Sequence, residues 1–548
     1  MGNTCTCFES GRWDAHTEVN SNYPEETEVY QDMTQPLPHY FISSGHNSYL
    51  TGDQLFASAG TSTIVKSLKA GCRVVELDVY NGPICKHGGT FTSPVSFQEC
   101  IEAIASAAFV ASPYPVIITM ENHTDVENQG KMAAILRSVL GDLLFLPDPT
   151  DSRREYLSPA QLINKVVCRT SVKKSCEYHP DFVSLIYIRN TKCSSLQDMI
   201  KREDVVSSSF EETALPQADE LDPEEDTAAA QKAAKQRAQL AASRPRDWQA
   251  LQQAGPGAFG EAPEDAVTAS ELNAAGTGGH PVAGSLQELY AYTSRHLARV
   301  YPAGWRVTSG NYNPMRAWVR GASLAALNWQ VWDKALWANE ARFMDNGGCG
   351  YVLKPEWMRC PQQTPPQLPP RTPRRLVVRV HSAHKYQGNN CCIFKDDLFV
   401  KINVWGMPCD RAAQKSRTAH DTGRLRVEHD FVFSVRYPEM ALLCITLKDD
   451  DAGGIGGAVG RAVADSLGYF SLPLSRLVEG EYKLRLKCPR SGIPLDGKDN
   501  WVKVGLRWEQ QPDKEGKEGG GKDERVEGKG AEVEAEGVVN PAYAGPGA

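Results

Sequence analysis

Between Phe41 and Glu121 the chain repeatedly ends a run of β-branched residues on a side chain that can carry charge or bind a metal. S-S-G-H-N-S-Y-L carries His46 and Asn47, V-E-L-D-V carries Glu76 and Asp78, and P-V-I-I-T-M-E-N-H ends on Glu121 and its neighbours. K-H-G-G-T-F-T-S adds His87. Glu76 and Asp78 are two residues apart, so in a strand they point to one face. Polar groups collected at the ends of apolar strands are the arrangement of an α/β barrel, whose chemistry sits at the C-terminal ends of its strands.

The surrounding pattern agrees. Strand-like runs at Tyr40–Ser44, Arg73–Tyr80, Val116–Met120, Val166–Thr170, Phe182–Ile188, Val205–Phe210, Arg306–Ser309 and Leu324–Trp329 alternate with helical stretches such as Phe97–Phe109, Gly130–Leu140 and Leu286–Val300. The expected fold is a distorted (β/α) TIM-type barrel over 35–360, interrupted by an Ala/Gln/Glu/Pro-rich insertion at 211–284 that cannot bury a core. The Pro-rich segment 361–373 reads as a linker. Beyond it, runs such as L-V-V-R-V and L-F-V-K-I-N-V alternate like half-buried strands, which predicts an all-β sandwich over 374–510. The Gly/Glu/Lys-rich stretch 511–548 reads as a disordered tail.

A chain of 548 residues holds two or three domains. Its net charge of −8 argues against a nucleic-acid partner. The fifteen cysteines show no C-x-x-C pairing, and no secretory segment leads the chain, so a reduced compartment is expected. The opening M-G-N-T-C-T-C fits N-myristoylation at Gly2, with Cys5 and Cys7 placed for palmitoylation. Two acyl chains would hold a flexible segment 1–34 to a membrane where one would not.

Asn47, Glu76, Asp78 and Glu121 are oxygen donors, a set that suits calcium better than zinc, while magnesium fits the same chemistry. A cation beside His46 and His87 suits attack at phosphorus, with one imidazole donating to a phosphoryl oxygen and the other protonating the departing oxygen.

The motifs together resemble the eukaryotic phosphoinositide-specific phospholipase C family. The strings G-H-N-S-Y-L, G-C-R-V-V-E-L-D-V-Y-N-G, H-G-G-T-F-T-S and P-V-I-I-T-M-E-N-H match its X half, taken as 35–174. S-S-S-F, R-V-Y-P-A-G-W-R, N-Y-N-P, A-L-N-W-Q and D-N-G-G-C-G-Y-V-L-K-P match its Y half, taken as 175–360. The resemblance implies a C2 domain after the barrel and calcium-dependent cleavage of phosphoinositides to diacylglycerol and inositol phosphates through a cyclic intermediate. It implies His46 as stabiliser of the phosphoryl charge, and His87 as acid toward diacylglycerol and then base for water. Asn47, Glu76, Asp78 and Glu121 would be the calcium ligands, with Glu76 or Glu121 as base for the inositol hydroxyl.

The same resemblance assigns Ser209, Arg299 and Tyr301 to the headgroup. Where animal relatives carry two lysines, this chain has Arg169 and Ser171, which leaves the preferred phosphorylation pattern open. Asp397, Asp449, Asp450, Asp451 and Asp465 stand at loop positions resembling C2 calcium sites. The first 34 residues leave no room for a pleckstrin-homology domain, so acylation is expected to attach the protein peripherally to the cytoplasmic face of a membrane, the plasma membrane by preference. The acidic residues 211–226 are expected to obstruct the active site near anionic lipid. The upstream protein activator is not legible.

Overall fold

The computed structural model describes residues 21–24, 27–55, 58–88, 90, 92–148, 150, 155–172, 177–193, 195–215, 285–360, 371–385, 396–420, 422–450, 465–496 and 500–509. Gly2, Cys5, Cys7, Asp451, most of the insertion and of the Pro-rich linker, and the tail lie outside the described residues.

Eight parallel strands form a closed barrel: β1 Tyr40–Gly45, β2 Val74–Tyr80, β3 Val116–His123, β4 Val166–Ser171, β5 Ile186–Asn190, β6 Ser207–Glu211, β7 Leu297–Tyr301 and β8 Leu324–Leu327. They follow one another around the barrel in chain order, and Ser44 of β1 paired with Val74 of β2 makes the closure. Most strand positions are buried, so the runs read as nearly continuous apolar stretches. The barrel is irregular, since β5 meets β6 through the single pair Asn190 and Ser207. A ninth strand, β9 Tyr351–Leu353, runs antiparallel to β1. Helices α1 Ser62–Lys69, α2 Phe97–Ala107 and α3 Val126–Leu140 cover the first half, and α4 Leu286–Thr293 and α5 Lys334–Met344 the second. Ser96 and Glu99 form a capping box that starts α2, and Asp125 caps α3.

Three expectations are corrected. The helix read over Leu286–Val300 ends at Thr293, and Leu297–Tyr301 is the seventh barrel strand, whereas Arg306–Ser309 is no strand. Leu297, Ala298, Arg299 and Val300 are buried because closing the barrel demands a strand there. The run Phe182–Ile188 splits into a short helical turn, Pro180–Val183, and β5. The insertion also starts later than Glu211. Glu211 ends β6, and Glu212 is buried against Arg306 and the Ala303 N–H, so a deletion probing the acidic stretch must begin past Leu215.

The second module is an antiparallel sandwich of the C2 type. Its strands are β10 Arg374–His384, β11 Leu398–Trp405, β12 Ala412–Lys415, β13 Arg424–Val435, β14 Leu442–Asp449, β15 Asp465–Pro473, β16 Gly480–Arg485 and β17 Trp501–Glu509. One sheet has the order β13-β10-β17-β16 and the other β12-β11-β14-β15. The strands β12, β15 and β16 escaped the sequence reading; β12 offers no large apolar residue, and β16 shows only two, Tyr482 and Leu484.

Helix α5 joins the two modules. Trp337 stacks on Tyr469 (4.3 Å between ring centres), and Glu340 receives the Tyr469 hydroxyl and the Lys487 ammonium. Arg342 is fully buried between Phe41 and Trp318 and donates to the Glu439 and Met440 carbonyls at 2.8 and 2.7 Å. Replacing Arg342 with Ala strands both carbonyls and should lower stability by about 3 kcal/mol, read from the first transition in urea; an unmoved midpoint would contradict it. The described part of the N-terminal segment is likewise held rather than flexible. Asn346 accepts the N–H groups of Tyr30 and Gln31, Met33 is buried, and Tyr23 packs edge-on against Phe470 and Tyr482.

Candidate functional site

The strand ends bring together the residues that the motifs singled out. In β2, Glu76 and Asp78 point into the barrel mouth, and the parallel register sets Asp78 beside Glu121 of β3. Carboxylate oxygens of Glu76, Asp78 and Glu121 lie within 4.8 Å of one another, the one such group of three among the described residues. Glu76 and Asp78 are buried and Glu121 is exposed at the rim.

Asn47 occupies the turn after β1 with φ of 42°, a left-handed conformation that Asn tolerates. This turns its backbone N–H onto Glu76 Oε2 (3.1 Å) and its side-chain amide N–H onto Gln54 Oε1 (2.9 Å). The amide oxygen is left as its remaining acceptor.

Burial alone would raise the Glu76 carboxyl, but the Arg299 guanidinium bonded to it, His46 and the Asn47 N–H hold it below the ordinary carboxylate range. Asp78 goes the other way. Burial, and then the charges of Glu121 and Glu76, push it well above that range. Its Oδ2 accepts from the Tyr49 hydroxyl (2.8 Å), while its Oδ1 is buried without a hydrogen-bond partner. An orphaned buried oxygen among converging carboxylates fits a hard cation with oxygen ligands.

The two imidazoles are fixed by their Nδ1 atoms. His87 Nδ1 faces the Gln54 carbonyl oxygen at 2.7 Å, which can only accept, so Nδ1 carries the proton and Nε2 is the working nitrogen. His46 Nδ1 faces Asn328 Oδ1 at 2.9 Å, and its Nε2 lies 4.0 Å from Glu76. The Asn328 oxygen also accepts from Gln54 Nε2 (3.3 Å), consistent with its assignment as the acceptor. Burial lowers the His46 pKa, opposed by Glu76. An arriving phosphate anion would supply the counter-charge that favours protonation.

Gln54 escaped the sequence reading, yet it ties four residues around this cluster together: Asn47 through Oε1, His87 through its carbonyl, and Asn328 and Ser309 through Nε2. It lies four residues beyond the H-N-S-Y-L string, in a stretch with no periodicity, and its role appears only once β8 is folded beside β1. Asn328 lies within A-L-N-W-Q, a string that carries the family resemblance without assigning Asn328 a role.

The residues assigned to the headgroup line the second half of the barrel. Ser209 and Arg299 are register neighbours on β6 and β7, and Tyr301 lies parallel to the His46 ring with Arg299 over its face (5.1 Å). Arg169 is buried inside the barrel. Its guanidinium donates to Ser207, Asn190 and Ser209 at 2.7–3.0 Å and to Thr119 at 3.4 Å, all neutral oxygens. Burial, then the neighbouring Arg299 charge, lowers its pKa to about 10. Ser171 accepts from the Asn190 amide (3.0 Å).

At one end of the sandwich, Asp397 Oδ2 meets His420 (2.8 Å), Asp449 Oδ1 accepts the Asp397 N–H (2.7 Å), and Asp450 Oδ2 accepts from Thr418 (3.1 Å). The side chain of Asp465 lies outside the described residues, although its backbone pairs with Asp449.

Comparison with known proteins agrees with the geometry. Residues 33–172 match the X domain of phosphatidylinositol-specific phospholipase C, and residues 264–357 match its Y domain. The chain is 31% identical to phosphoinositide phospholipase C 6 of Arabidopsis thaliana over 79% of its own length and 73% of that protein's. It is 30% identical to phosphoinositide phospholipase C 1 of the same plant, covering 86% and 80%. Against human 1-phosphatidylinositol 4,5-bisphosphate phosphodiesterase delta-1 it is 32% identical and spans 61% of the relative's length. The crystal structure of S. officinalis PLC21 shares the fold, with a TM-score of 0.67 at 23% identity over 88% of this chain and 57% of that one. Barrel, site and kinship converge, and the chain belongs to the phosphoinositide phospholipase C family of enzymes.

Proposed function

We propose that the protein cleaves phosphoinositides at the glycerol–phosphate bond, yielding diacylglycerol and inositol phosphates, in a calcium-dependent reaction. The observation that carries this reading is the buried orphan oxygen of Asp78 among three converging carboxylates, beside two imidazoles whose Nε2 atoms are free for proton work. Asn47, Glu76, Asp78 and Glu121 would hold the calcium. Bound there, it would lower the pKa of a coordinated inositol hydroxyl and offset charge growing on the phosphoryl group.

The chain's own groups do the rest. Glu76 or Glu121 accepts the proton of the inositol 2-hydroxyl, which attacks phosphorus and closes a cyclic phosphodiester. Glu121, exposed at the rim, is better placed to exchange that proton with solvent than Glu76, which is held by Arg299. His46, protonated beside the phosphate, donates from Nε2 to a phosphoryl oxygen. His87, with its ring protonated on both nitrogens, gives the Nε2 proton to the departing diacylglycerol oxygen, and the neutral ring then takes one from the water that opens the cyclic phosphate. Ser209, Arg299, Tyr301 and Arg169 form the wall against which the inositol ring and its phosphates rest.

Peripheral attachment to a membrane follows from the substrate and the family. Among the described residues no helix is long and apolar enough to cross a bilayer. Acylation at Gly2, Cys5 and Cys7 and calcium binding near Asp397, Asp449 and Asp465 would both favour the cytoplasmic face of the plasma membrane.

Arg169 is committed to four neutral side chains and Ser171 has no charge, so a 5-phosphate gains little here. Rates on vesicles of phosphatidylinositol, its 4-phosphate and its 4,5-bisphosphate, measured against free calcium, test the reading. Turnover should require calcium, and the bisphosphate should exceed the monophosphate by less than about 10-fold, the lower bound for a charge-assisted contact. Full turnover in chelator, or a 100-fold preference for the bisphosphate, would refute the respective part.

A further inference from the structure

The outer face of the β13-β10-β17-β16 sheet carries two adjacent rows of side chains that neither the catalytic site nor the acidic loops use. Register places Arg485, Trp501, His384 and Arg424 side by side across the four strands, and Lys483, Lys503, Ser382 and Arg426 in the next outward-facing row. The intervening row, Leu484, Val502, Ala383 and Leu425, points inward and is buried, so the alternation commits these residues to the outside. Arg424, Arg426 and Arg485 are exposed, and Lys483, Lys503, Trp501 and His384 are partly so. The two rows thus hold five permanent cations and no carboxylate.

Trp501 sits at the centre. His384 stacks on it at 5.6 Å, and the ammonium groups of Lys483 and Lys503 lie 5.0 and 5.6 Å from its ring centre. In the following row carboxylates do occur, but they are paired: Asp430 with Arg379, Glu428 with Arg379 and His381, and Glu481 with His381. Glu428 also lies 3.9 Å from Arg426.

The position of the patch points to its partner. Strand β10 leaves the sheet at His384, and the next residue, Lys385, bonds Asp396 (2.7 Å), so the cationic rows share an end of the sandwich with Asp397 and Asp449. From Arg485 the chain enters the loop 486–496, where Arg485 donates to the Leu495 carbonyl and Ile493 is 65% exposed. That loop reaches the barrel mouth: Pro489 receives the Trp337 indole N–H, and Gly492 packs so tightly on Trp332 that a Cβ would stand 2.2 Å from it. Trp332 is four residues past Asn328, which holds His46. The first described residue, Ser21, gives its carbonyl to the Lys483 N–H (2.8 Å), so the N-terminal segment also enters here.

We propose that this end of the sandwich is a docking surface for an anionic bilayer, acting without calcium and apart from headgroup cleavage. The cations meet the negative lipid surface, the amphipathic indole of Trp501 sits at headgroup level, and Ile493 reaches toward the acyl boundary, on the side of the molecule where the barrel opens. A rigid sheet bears the charges, so little side-chain order is lost beyond the lysine and arginine stems. The proposal does not depend on the acylation or the calcium sites proposed above.

Binding of the full-length chain carrying Gly2→Ala, which cannot accept myristate, would be measured on phosphatidylcholine vesicles with and without phosphatidylserine, in chelator and at two salt concentrations. The unmodified surface should bind the anionic vesicles, and less at high salt. Replacing Lys483, Lys503 and Arg485 with Gln together should weaken binding about 100-fold, at roughly 5-fold per cation. The rate on a short-chain monomeric substrate should not change. Removing Lys401 and Lys415, on the opposite sheet, takes away two like charges and should weaken binding by less than about 2-fold. Should the triple variant melt early, the exposed single changes Arg485→Gln and Arg424→Gln should each cost about 5-fold. Unchanged binding in the patch variants, or an equal loss in the Lys401/Lys415 control, would overturn the proposal.

Discussion

His87→Ala should lower kcat on vesicle substrate by about 10³-fold, within the range general acid catalysis contributes, and leave the fold intact. His87 is partly exposed, and its ring faces one backbone carbonyl, that of Gln54, so its loss exposes no buried charge. The sharper test uses an inositol phosphodiester whose leaving group is a nitrophenol. A stable phenolate needs no proton to depart, so His87→Ala should lose 10-fold or less in ring closure on that substrate. His46→Ala should lose about 10³-fold on both, because charge on the phosphoryl oxygens grows whichever group leaves. Equal losses for His87→Ala on the two substrates would remove its assignment as the acid, and full activity of His46→Ala would remove His46 from the reaction.

How much of this was legible in the sequence follows from distance along the chain. Glu76, Asp78 and Glu121 are legible because they lie in or near the end of apolar runs, and a strand's period of two fixes which residues share a face. The seventh strand was missed because L-A-R-V-Y follows the helix α4 with only three intervening residues, and local pattern alone does not separate the two. Only the barrel's need for a strand beside Ser209 turns Arg299 inward onto Glu76, 223 residues away. Gln54 was invisible for the same reason: its partners Ser309 and Asn328 lie more than 250 residues on. The acidic run at 211 misled because Glu212 looks like its neighbours, and only the folded chain shows it closed against Arg306. In the sandwich, β12 carries A-A-Q-K, whose pairing with Lys401–Val404 supplies what its composition does not.

Asp78→Asn should make the calcium-free protein more stable while removing most of what calcium gives the wild type. In the free protein three carboxylates crowd within 4.8 Å, one oxygen of Asp78 is unsatisfied, and the neighbouring charges act against its ionisation. An amide keeps the oxygen that accepts from Tyr49 and places N–H donors where the orphan oxygen stood, facing Glu76 and Glu121 rather than repelling them. The gain in chelator should be about 1 kcal/mol, the scale of leaving one buried polar group unsatisfied. Calcium at 100 times its dissociation constant should stabilise the wild-type barrel by about 2.7 kcal/mol and the variant by far less, because a carboxylate ligand is gone. Activity should fall together with the calcium response. Thermal unfolding of both proteins in chelator and in calcium reads all of this, with Asp397→Asn as the background for any contribution from the sandwich. If Asp78→Asn melts below the wild type in chelator, the carboxylates are not in mutual opposition. If calcium raises both proteins equally in the Asp397→Asn background, Asp78 is not among the groups that hold it.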